Sequence, residues 1–344
     1  MKQLKVLALL HDNLVPPESI EGLTMAEVRP FKMEYDIIVS LEALGHEVIT
    51  IPVGDDLSVI RRAIKEHEPA VCFNMLVNFH GVRAYDAHVA SYFELLKAPY
   101  TGCNPRGLFL AGDKELSKKV LTYHRVRVPR FTAFARGRKV PSRLALNFPV
   151  IVKSLSEEAS LGISQASIVY DLDALRERVA YVHERIGTSA IVEEYVQGRE
   201  LSVGVLGNER VTVFPPIETI FAKLPAGSEP ILTERIKWDM AYQEKIGLTA
   251  RPATDLDPGV GERIKRTARR VYAALDLSGY ARVDLRLTAD GAVYVLEANP
   301  NPDLAYGEDF SAGAELVGLS YEQLVQRITT LGIKYSPPWV DYVE

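Results

Sequence analysis

The residues whose types and spacing could do chemistry lie in a predicted β-hairpin over residues 280–299, YARVDLRLTADGAVYVLEAN. Two runs of alternating apolar and polar residues flank Asp290-Gly291, a dipeptide that favours a two-residue type I′ turn. With that turn Ala289 pairs with Ala292 and, further out, Asp284 lies directly opposite Glu297. Residues opposite one another in such a pair have Cβ atoms roughly 5 Å apart. The hairpin therefore predicts two carboxylates that face each other across adjacent strands.

Two further polar side chains, those of Arg282 and Asn299, share this face because alternate residues of a strand point to the same side. Repulsion between the two carboxylates is on the order of 3 kcal/mol at an effective dielectric of 20, which disfavours the pair unless a cation lies between them. Carboxylate and amide oxygens are ligands that suit Mg²⁺. The sequence favours a magnesium site. The alternative is that Arg282 or Arg286 pairs with Asp284 in an ordinary surface sheet.

Composition limits the class of protein that carries this hairpin. The chain has 344 residues, of which 47% are hydrophobic and 25% charged, and this balance excludes wholesale disorder. A net charge of −5 without an evident basic tract argues against nucleic acid or an anionic membrane as the main partner. The N-terminal apolar run is too short for a secretory signal, and no stretch approaches the ~20 apolar residues of a membrane span. We expect a cytoplasmic, multidomain enzyme.

The first third of the chain alternates strands and helices. Apolar strands are predicted at residues 4–10, 47–53 and 70–76, and helices at about 30–44, 57–67 and 89–96. This alternation is typical of a doubly wound parallel sheet. A break at Pro99–Gly102 ends a predicted first domain of residues 1–103.

The remainder predicts two α+β units, residues 104–190 and 191–344. The former has a helix at 114–123 and strands at 150–153 and 190–196; the latter has strands at 201–206 and 211–214 before the hairpin. Asp257 and Pro258 mark the start of an amphipathic helix, as an N-cap and a first-turn proline. Residues 222–250 show little periodicity, which predicts a functional or mobile segment. The predicted fold class is therefore α/β followed by α+β.

Other candidate groups do not define a site individually. The segment from Gly107 to Lys114 nearly matches a phosphate-binding P-loop, but Asp113 intrudes and no Ser or Thr follows. Lys153, placed at the end of an apolar strand, can be structural as readily as a phosphate ligand, and the same holds for the lone histidines. The absence of the Rossmann glycine, zinc-protease and hydrolase motifs weighs against those three classes.

Taken in chain order, five segments resemble the D-alanine–D-alanine ligase branch of the ATP-grasp enzymes, over nearly the whole chain. They are HGVRAYDAHVASYFELLKAPYTG, GDKELSKKV, FPVIVKS, EEYVQGRELSVGVLG and the hairpin followed by PNPD. The resemblance implies an ATP-grasp fold, in which a Rossmann-like domain precedes two α+β units that enclose ATP. It also implies an ADP-forming carboxylate–amine ligase that works through an acyl phosphate, with small-molecule substrates and a homodimeric assembly.

The same resemblance implies roles for individual residues. Lys114 and Lys153 would contact the phosphates of ATP. Glu193, with the neighbouring Glu194, and the backbone of Tyr195 and Val196 would contact the adenine. Glu200 would bind the ribose. Asp284, Glu297 and Asn299 would hold two Mg²⁺ ions, with Mn²⁺ as a substitute. The implied catalytic residues are Arg282 at the reacting carboxylate or acyl phosphate, Ser160 at the γ-phosphate and Lys237 in a lid.

The departures from the family concern substrate recognition. Asp303 stands where the family has an oxyanion-binding glycine, and Glu308 replaces a serine that would hold the second D-alanine's carboxylate. Tyr85, a few residues after His80, stands where the family often has glutamate, and the glycine-rich phosphate loop is reduced to residues 158–162, EASLG. We therefore expect a ligase with other substrates, such as an amine with a positive group near Asp303 or Glu308. The alternatives are a D-alanine–D-alanine ligase proper, a carboxylate kinase and a non-catalytic nucleotide-binding module.

Overall fold

A computed structural model describes residues 3–157 and 160–338. Its first segment is a three-stranded parallel sheet of order β2-β1-β3 with helices on both faces. One face packs against α3 and the other against α2, which confirms the predicted doubly wound arrangement. The elements are β1 (Lys5–His11), α1 (Met25–Val28), α2 (Lys32–Ala43), β2 (Glu47–Val53), α3 (Ser58–His67), β3 (Val71–Asn74) and α4 (Asp86–Leu95).

The second segment has a four-stranded antiparallel sheet of order β4-β7-β5-β6, which we call the central sheet. Its core is formed by valines of β5 and β7 against one face of α7. A short π-helical turn, Val182–Ile186, follows α7. The elements are α5 (Pro105–Gly112), α6 (Lys114–Tyr123), β4 (Phe131–Phe134), β5 (Val150–Ser154), β6 (Ile168–Val169), α7 (Leu172–Tyr181) and β7 (Ala190–Glu194).

The third segment has a six-stranded sheet of order β11-β10-β8-β12-β13, with β9 paired to β8, which we call the large sheet. The amphipathic helix α10 packs on it through Ile264, Ala268 and Val271, and Asp257 caps this helix by accepting from the Gly259 N–H at 2.8 Å. The elements are β8 (Arg199–Leu206), β9 (Thr212–Val213), β10 (Ile217–Phe221), α8 (Glu234–Trp238), α9 (Met240–Ile246), β11 (Leu248–Pro252), α10 (Pro258–Ala274), β12 (Tyr280–Leu287), β13 (Val293–Pro300), α11 (Asp309–Glu315) and α12 (Tyr321–Lys334).

The last helix returns to the first sheet. Residues Leu324, Val325 and Ile328 of α12 share a core with Ile37 of α2 and Phe73 of β3. The first sheet and the large sheet lie within the first and third segments expected from the sequence. Strand β7 (Ala190–Glu194) belongs to the central sheet, although all but its first residue fall in the predicted third segment. The exact domain boundaries stay a prediction. In the part of the chain that the structure describes, no helix is long and apolar enough to cross a membrane.

The segment 222–250 shows little periodicity but contains α8, α9 and most of β11. These elements are short, and β11 is an edge strand, so none of them needs a sustained apolar period. The functional or mobile character of this segment stays a prediction.

The hairpin turn differs from the prediction. The Thr288 N–H donates to the Ala292 carbonyl at 3.0 Å and the Gly291 N–H to the Thr288 carbonyl at 2.9 Å, so three residues form the loop and Ala289 does not face Ala292. Gly291 has φ +78°, the left-handed conformation that closes such a loop. The extra loop residue shifts the register, which gives the pair Leu285–Val295.

A β-bulge restores the predicted register further out. Between the pairs Leu285–Val295 and Asp284–Glu297, β13 contains one unmatched residue, Leu296. Beyond this bulge Asp284 lies opposite Glu297 and Arg282 opposite Asn299, as predicted.

Candidate active site

A cluster of lysines and one glutamate lies between the central and large sheets. The Asp113 carboxylate accepts from the Glu115 and Leu116 N–H groups at 2.9 Å, so α6 begins at Lys114. Lys118, one turn later, lies on the same helix face. The Nζ atoms of Lys118 and Lys153 both lie 3.2 Å from the Glu193 carboxylate. The sequence analysis did not predict that Lys118 pairs with Glu193, because this contact joins a helix to a strand 75 positions later.

The electrostatics of this cluster follow from burial. The side chains of Lys118 and Glu193 are 2% and 1% exposed. Burial raises the pKa of the Glu193 carboxyl, but Lys118 and Lys153 outweigh burial, so the net shift of its pKa is downward. For Lys118 burial is the largest influence, and the pKa of this ammonium is lowered. Glu193 is therefore an anion held between two cations.

Lys118 also links the cluster to the hairpin. Its Nζ donates to the Leu296 carbonyl oxygen at 2.6 Å, and Leu296 is the bulged residue of β13. Lys114 lies on the same side, with its Nζ 2.6 Å from the Glu157 carbonyl oxygen and 3.7 Å from the Glu297 carboxylate. Although burial raises the pKa of the Glu297 carboxyl, the surrounding lysines and Arg282 lower it to about 2. The described part of the chain thus brings three lysines and two carboxylates together from both sheets.

On the hairpin face Arg282 holds Asp284 with both nitrogens of its fork. The Nε–Oδ1 and Nη2–Oδ2 distances are 2.8 and 2.9 Å, and the Asn299 Nδ2 atom lies 2.8 Å from Oδ2. Burial nevertheless makes the charged carboxylate costly, so the pKa of Asp284 is raised. The pairing of Asp284 with Arg282, the alternative considered above, is therefore present, although Asp284 still faces Glu297.

This donor set fits a divalent cation only after a local rearrangement. Asp284, Glu297 and Asn299 supply two carboxylates and one amide, which are hard oxygen ligands. Among residues 3–157 and 160–338 no group of three or more His, Cys, Asp or Glu side chains could hold a metal ion. The candidate donor beside the two carboxylates is the Asn299 amide. To bind a cation, Asn299 has to present its oxygen instead of its nitrogen, a rotation of the amide by half a turn. Asp284 can keep its contact with Arg282, because a carboxylate has about four lone-pair sites.

Glu200 has a partner that the sequence reasoning assigned elsewhere. Its Oε2 atom accepts from Arg286 Nη2 at 2.6 Å, and Arg286 also donates to the carbonyl oxygens of Gly198 and Pro230. Arg286 lies opposite Glu200 in the β8–β12 ladder. The arginine weighed as a partner of Asp284 thus orients the residue predicted at the ribose.

Glu194 is not part of the cluster. It follows Glu193 in β7, so its side chain points to the opposite face, where its Oε1 atom accepts from Arg130 at 3.2 Å and from the Asn147 backbone at 2.8 Å. The placement of Glu194 with the nucleotide ligands therefore has no geometric support. Tyr195 uses its N–H in the sheet, at 2.9 Å from the Pro149 carbonyl, and Val196 follows beyond the end of β7.

Ser160 and Lys237 lie on two segments that are joined. The Gly162 N–H donates to the Glu234 carboxylate, and the Glu234 N–H donates to the Ile163 carbonyl, at 2.8 and 2.9 Å. Ser160 adopts a left-handed φ of +60°, and Lys237 lies on α8. The first two residues of the reduced phosphate loop, Glu158 and Ala159, lie outside the described residues.

The candidate specificity residues lie apart from the lysine cluster. His80 and Tyr85 are exposed in the loop before α4, and His80 has a left-handed φ of +54°. Asp303 and Glu308 follow the hairpin; Asp303 caps its own turn through the Ala305 N–H at 2.9 Å. Burial, together with neighbouring Asp303 and Asp309, raises the pKa of Glu308.

Glu34 is a buried carboxylate that the sequence reasoning missed. It lies on the apolar face of α2, one turn before Ile37 and Ile38, and is 3% exposed. Burial raises its pKa to about 7, and nearby Asp303 adds to the rise. A glutamate at an i, i+3, i+4 apolar spacing is the signal that could have identified it.

Comparison with known proteins identifies the class to which this fold and site belong. Residues 120–330 match the family model "D-ala D-ala ligase C-terminus". The D-alanine–D-alanine ligase of Desulforudis audaxviator is 31% identical over 86% of this chain and 90% of its own. A Sinorhizobium fredii protein, y4sG, is 29% identical over 85% and 84% of the two chains. The chain therefore belongs to the D-alanine–D-alanine ligase family of ATP-grasp enzymes and is an ADP-forming ligase.

The fold agrees with this membership. A crystal structure of D-alanine–D-alanine ligase from Bacillus anthracis, complexed with ATP, superposes with a TM-score of 0.73 and covers 96% of this chain and 98% of that one. At 20% identity this likeness concerns the fold, and it confirms the predicted ATP-grasp architecture.

Proposed function

We propose that this enzyme uses ATP to join a carboxylate to an amine that carries a second, positively charged group. The use of ATP is supported by the family of ADP-forming ligases to which the chain belongs and by one structural observation. Between the two sheets, Lys114, Lys118 and Lys153 lie close to the carboxylates of Glu193 and Glu297. The positively charged group on the amine is supported by the acidic region formed by Asp303 and Glu308 after the hairpin.

The proposed reaction has two steps. A substrate carboxylate oxygen attacks the γ-phosphorus of ATP, giving an acyl phosphate and releasing ADP. The amine nitrogen then attacks the acyl carbon, the C–O bond to phosphate breaks, and inorganic phosphate leaves with the product amide and one proton. Such reactions gain most from fixed charges aimed at the transferring phosphoryl group.

Each candidate residue of this chain has a proposed role in binding ATP or the substrate carboxylate. Lys114 and Lys153 bind the ATP phosphates, and Arg282 binds the reacting carboxylate. Glu200, oriented by Arg286, accepts from the ribose hydroxyls. Asp284, Glu297 and Asn299 would hold Mg²⁺, which would supply charge neutralisation to the transferring phosphoryl group.

The joined segments of Ser160 and Lys237 cover the site. The hydrogen bonds between the Ser160 loop and α8 allow both to move as one unit. Excluding water in this way protects an acyl phosphate from hydrolysis.

The region around Asp303 and Glu308 supports a cationic amine. A carboxylate at either position repels the carboxylate of an incoming amino acid and attracts a positive group. Burial is the largest cause of the raised pKa of Glu308, Asp303 and Asp309 add to it, and Arg29 and Lys32 oppose it. The second candidate, D-alanine–D-alanine ligase activity, is favoured by the names of relatives that are 27% to 31% identical.

The test is to incubate the protein with ATP, Mg²⁺ and D-alanine, with or without lysine, ornithine and small basic peptides, and to identify products by mass spectrometry while ADP release is followed. We expect ADP release that requires a cationic amine and yields its amide. Rapid ADP release with D-alanine alone refutes the substrate proposal in favour of the second candidate. Phosphate release without any amine indicates a carboxylate kinase.

A double variant and a matched control test whether Asp303 and Glu308 determine the amine substrate. Asp303→Gly with Glu308→Ser replaces both residues by those of the family pattern, and we expect it to lower turnover of cationic amines and to raise formation of D-alanyl-D-alanine. Glu315→Ser, an exposed acidic residue of α11, is the matched control and should leave substrate preference unchanged.

A further inference from the structure

One stretch of the chain has an extreme charge balance. Residues 116–156 contain four lysines and six arginines and no Asp or Glu, although the whole chain has 45 acidic and 40 basic residues. Lys118 and Lys153 belong to the candidate active site, but most of the others are exposed between α6 and β5. The expectation that the sequence contains no basic tract is wrong for this stretch.

The same stretch encloses a cavity of about 790 Å³ outside the lysine cluster. The cavity lies between the connection from α6 to β4 and the loop 141–146, and none of its lining residues belongs to the candidate active site. Four arginines and no carboxylate line it, namely Arg125, Arg127, Arg130 and Arg143. The rest of its wall is mainly apolar, with Val126, Phe131 and Leu146 among the lining residues. We call it the arginine cavity.

Two of the four arginines, Arg125 and Arg143, form no ion pair among the described residues, while Arg127 lies close enough to Asp290 to help lower the pKa of that carboxyl. Only Arg130 forms an ion pair, with Glu194 at 3.2 Å, and its other nitrogen donates to the Ala145 carbonyl, which braces the loop. Arg127 stacks over the Tyr294 ring at 5.4 Å. Among residues 3–157 and 160–338, no carboxylate lies within 4.0 Å of the Arg125, Arg127 or Arg143 guanidinium groups.

Arg125 lies just past the end of α6, at the rim of the arginine cavity. It terminates α6 with a left-handed φ of +54°, and its N–H donates to the Thr122 carbonyl at 2.9 Å. Glycine or asparagine is the usual residue at this position, because other side chains are strained there by about 1 kcal/mol. Glu68, Lys97 and Asp276 follow α3, α4 and α10 with the same left-handed backbone, so this conformation alone does not single out Arg125.

We propose that the arginine cavity binds a phosphate-bearing organic anion with an apolar ring, at a site separate from the ATP site. Guanidinium groups form bidentate hydrogen bonds with phosphate oxygens, and the apolar wall accommodates a ring. The volume falls within the range of roughly 300–1,000 Å³ that is typical of small-molecule sites. A concave, apolar-walled site favours a compact molecule over an extended polyanion.

A backbone hydrogen bond connects the wall of the arginine cavity to the hairpin. The Arg127 carbonyl oxygen accepts from the Val295 N–H at 2.9 Å, two residues before Glu297 in β13. The connection that lines the cavity thus forms a hydrogen bond to the edge of the large sheet, while Arg130 binds β7 of the central sheet. A bound anion therefore contacts the connection between the two sheets.

The test uses 1-naphthyl phosphate as a fluorescent probe and 1-naphthol as its uncharged counterpart, titrated into the full chain without added nucleotide. We expect saturable binding of the phosphate, weakened by salt, and at least tenfold weaker binding of the naphthol. Arg125→Asn with Arg143→Ser should weaken the phosphate at least tenfold; asparagine suits the left-handed position, so the fold is expected to persist. Arg263→Ser with Arg266→Ser, on the exposed face of α10, is the matched control.

Several results overturn the proposal. Equal binding of naphthyl phosphate and naphthol shows a merely apolar surface. Unchanged affinity in the Arg125/Arg143 variant, with native circular dichroism, also refutes it. If a single-stranded oligonucleotide binds this surface and naphthyl phosphate does not, the occupant is a polymer and the cavity proposal is wrong. None of these results depends on the ligase substrates.

Discussion

Replacing Glu34 by glutamine should change how the stability of the protein depends on pH. The Glu34 carboxyl is 3% exposed on the apolar face of α2, and burial raises its pKa to about 7 from an ordinary value of 4.5. A raised pKa in the folded state means that folding favours the protonated form. The associated stability is therefore fully present below pH 4.5 and is lost as the pH rises through 7.

The magnitude follows from this shift. Each unit of pKa difference is worth about 1.4 kcal/mol, so ionisation of Glu34 destabilises the folded protein by up to about 3 kcal/mol. Most of that change, roughly 2.5 kcal/mol, falls between pH 5 and pH 8. Glutamine has nearly the same volume and does not ionise. We therefore expect the free energy of unfolding of Glu34→Gln, relative to wild type, to rise by roughly 2.5 kcal/mol over this range.

The assay is urea denaturation at pH 5, 6, 7 and 8, followed by circular dichroism and by tryptophan fluorescence to check that the transitions coincide. Glu42→Gln, an exposed residue of the same helix, controls for the loss of one carboxylate from α2. A difference between Glu34→Gln and wild type that stays constant from pH 5 to pH 8, or that falls with pH, would refute the reasoning.

Three further experiments test the candidate site and the structure that supports it. Lys118→Met leaves a buried carboxylate with one cation fewer and should lower the free energy of unfolding by about 3 kcal/mol in urea denaturation; a loss under 1 kcal/mol would contradict the buried pairing. Asp284→Asn with Glu297→Gln should abolish ADP release while circular dichroism stays native, and retained turnover would exclude the metal assignment. Gly198→Ala, at φ +155°, places a Cβ 2.2 Å from a carbonyl oxygen of β12 and should lower the free energy of unfolding by about 2 kcal/mol or more. In the control, Gly112→Ala, the added Cβ meets nothing within 4 Å, so the free energy of unfolding should not change. Equal effects of the two substitutions would show that the backbone at Gly198 relaxes freely.

Local signals were sufficient to predict much of the fold. The predicted helix 114–123 matches α6, and the Asp257 cap with Pro258 correctly marks the start of α10. Both depend on contacts within one turn of the chain, which a sequence displays directly. Segment 222–250 could not be predicted in this way, because α8, α9 and β11 are each seven residues or fewer and depend on partners elsewhere.

The site was less predictable, since its pairings join distant segments. Motifs identified Lys114, Lys153, Glu193 and Glu200 as candidates, but they did not indicate which cation holds which carboxylate. That Lys118 reaches both Glu193 and the β13 backbone depends on how α6 packs between two sheets. The opposite orientation of Glu194 follows from strand alternation alone and could have been deduced from the sequence.

The hairpin shows why a correct pairing can follow from an incorrect turn. The prediction assumed a two-residue loop and an uninterrupted ladder, whereas the loop has three residues and β13 contains the bulge at Leu296. Each irregularity shifts the register by one residue, and the two shifts cancel before Asp284 and Glu297. Without the bulge, the three-residue loop would place Leu296 opposite Asp284 and turn Glu297 away from the shared face. The bulged Leu296 also presents the carbonyl oxygen that Lys118 binds, so one inserted residue both aligns the two carboxylates and attaches the hairpin to the lysine cluster.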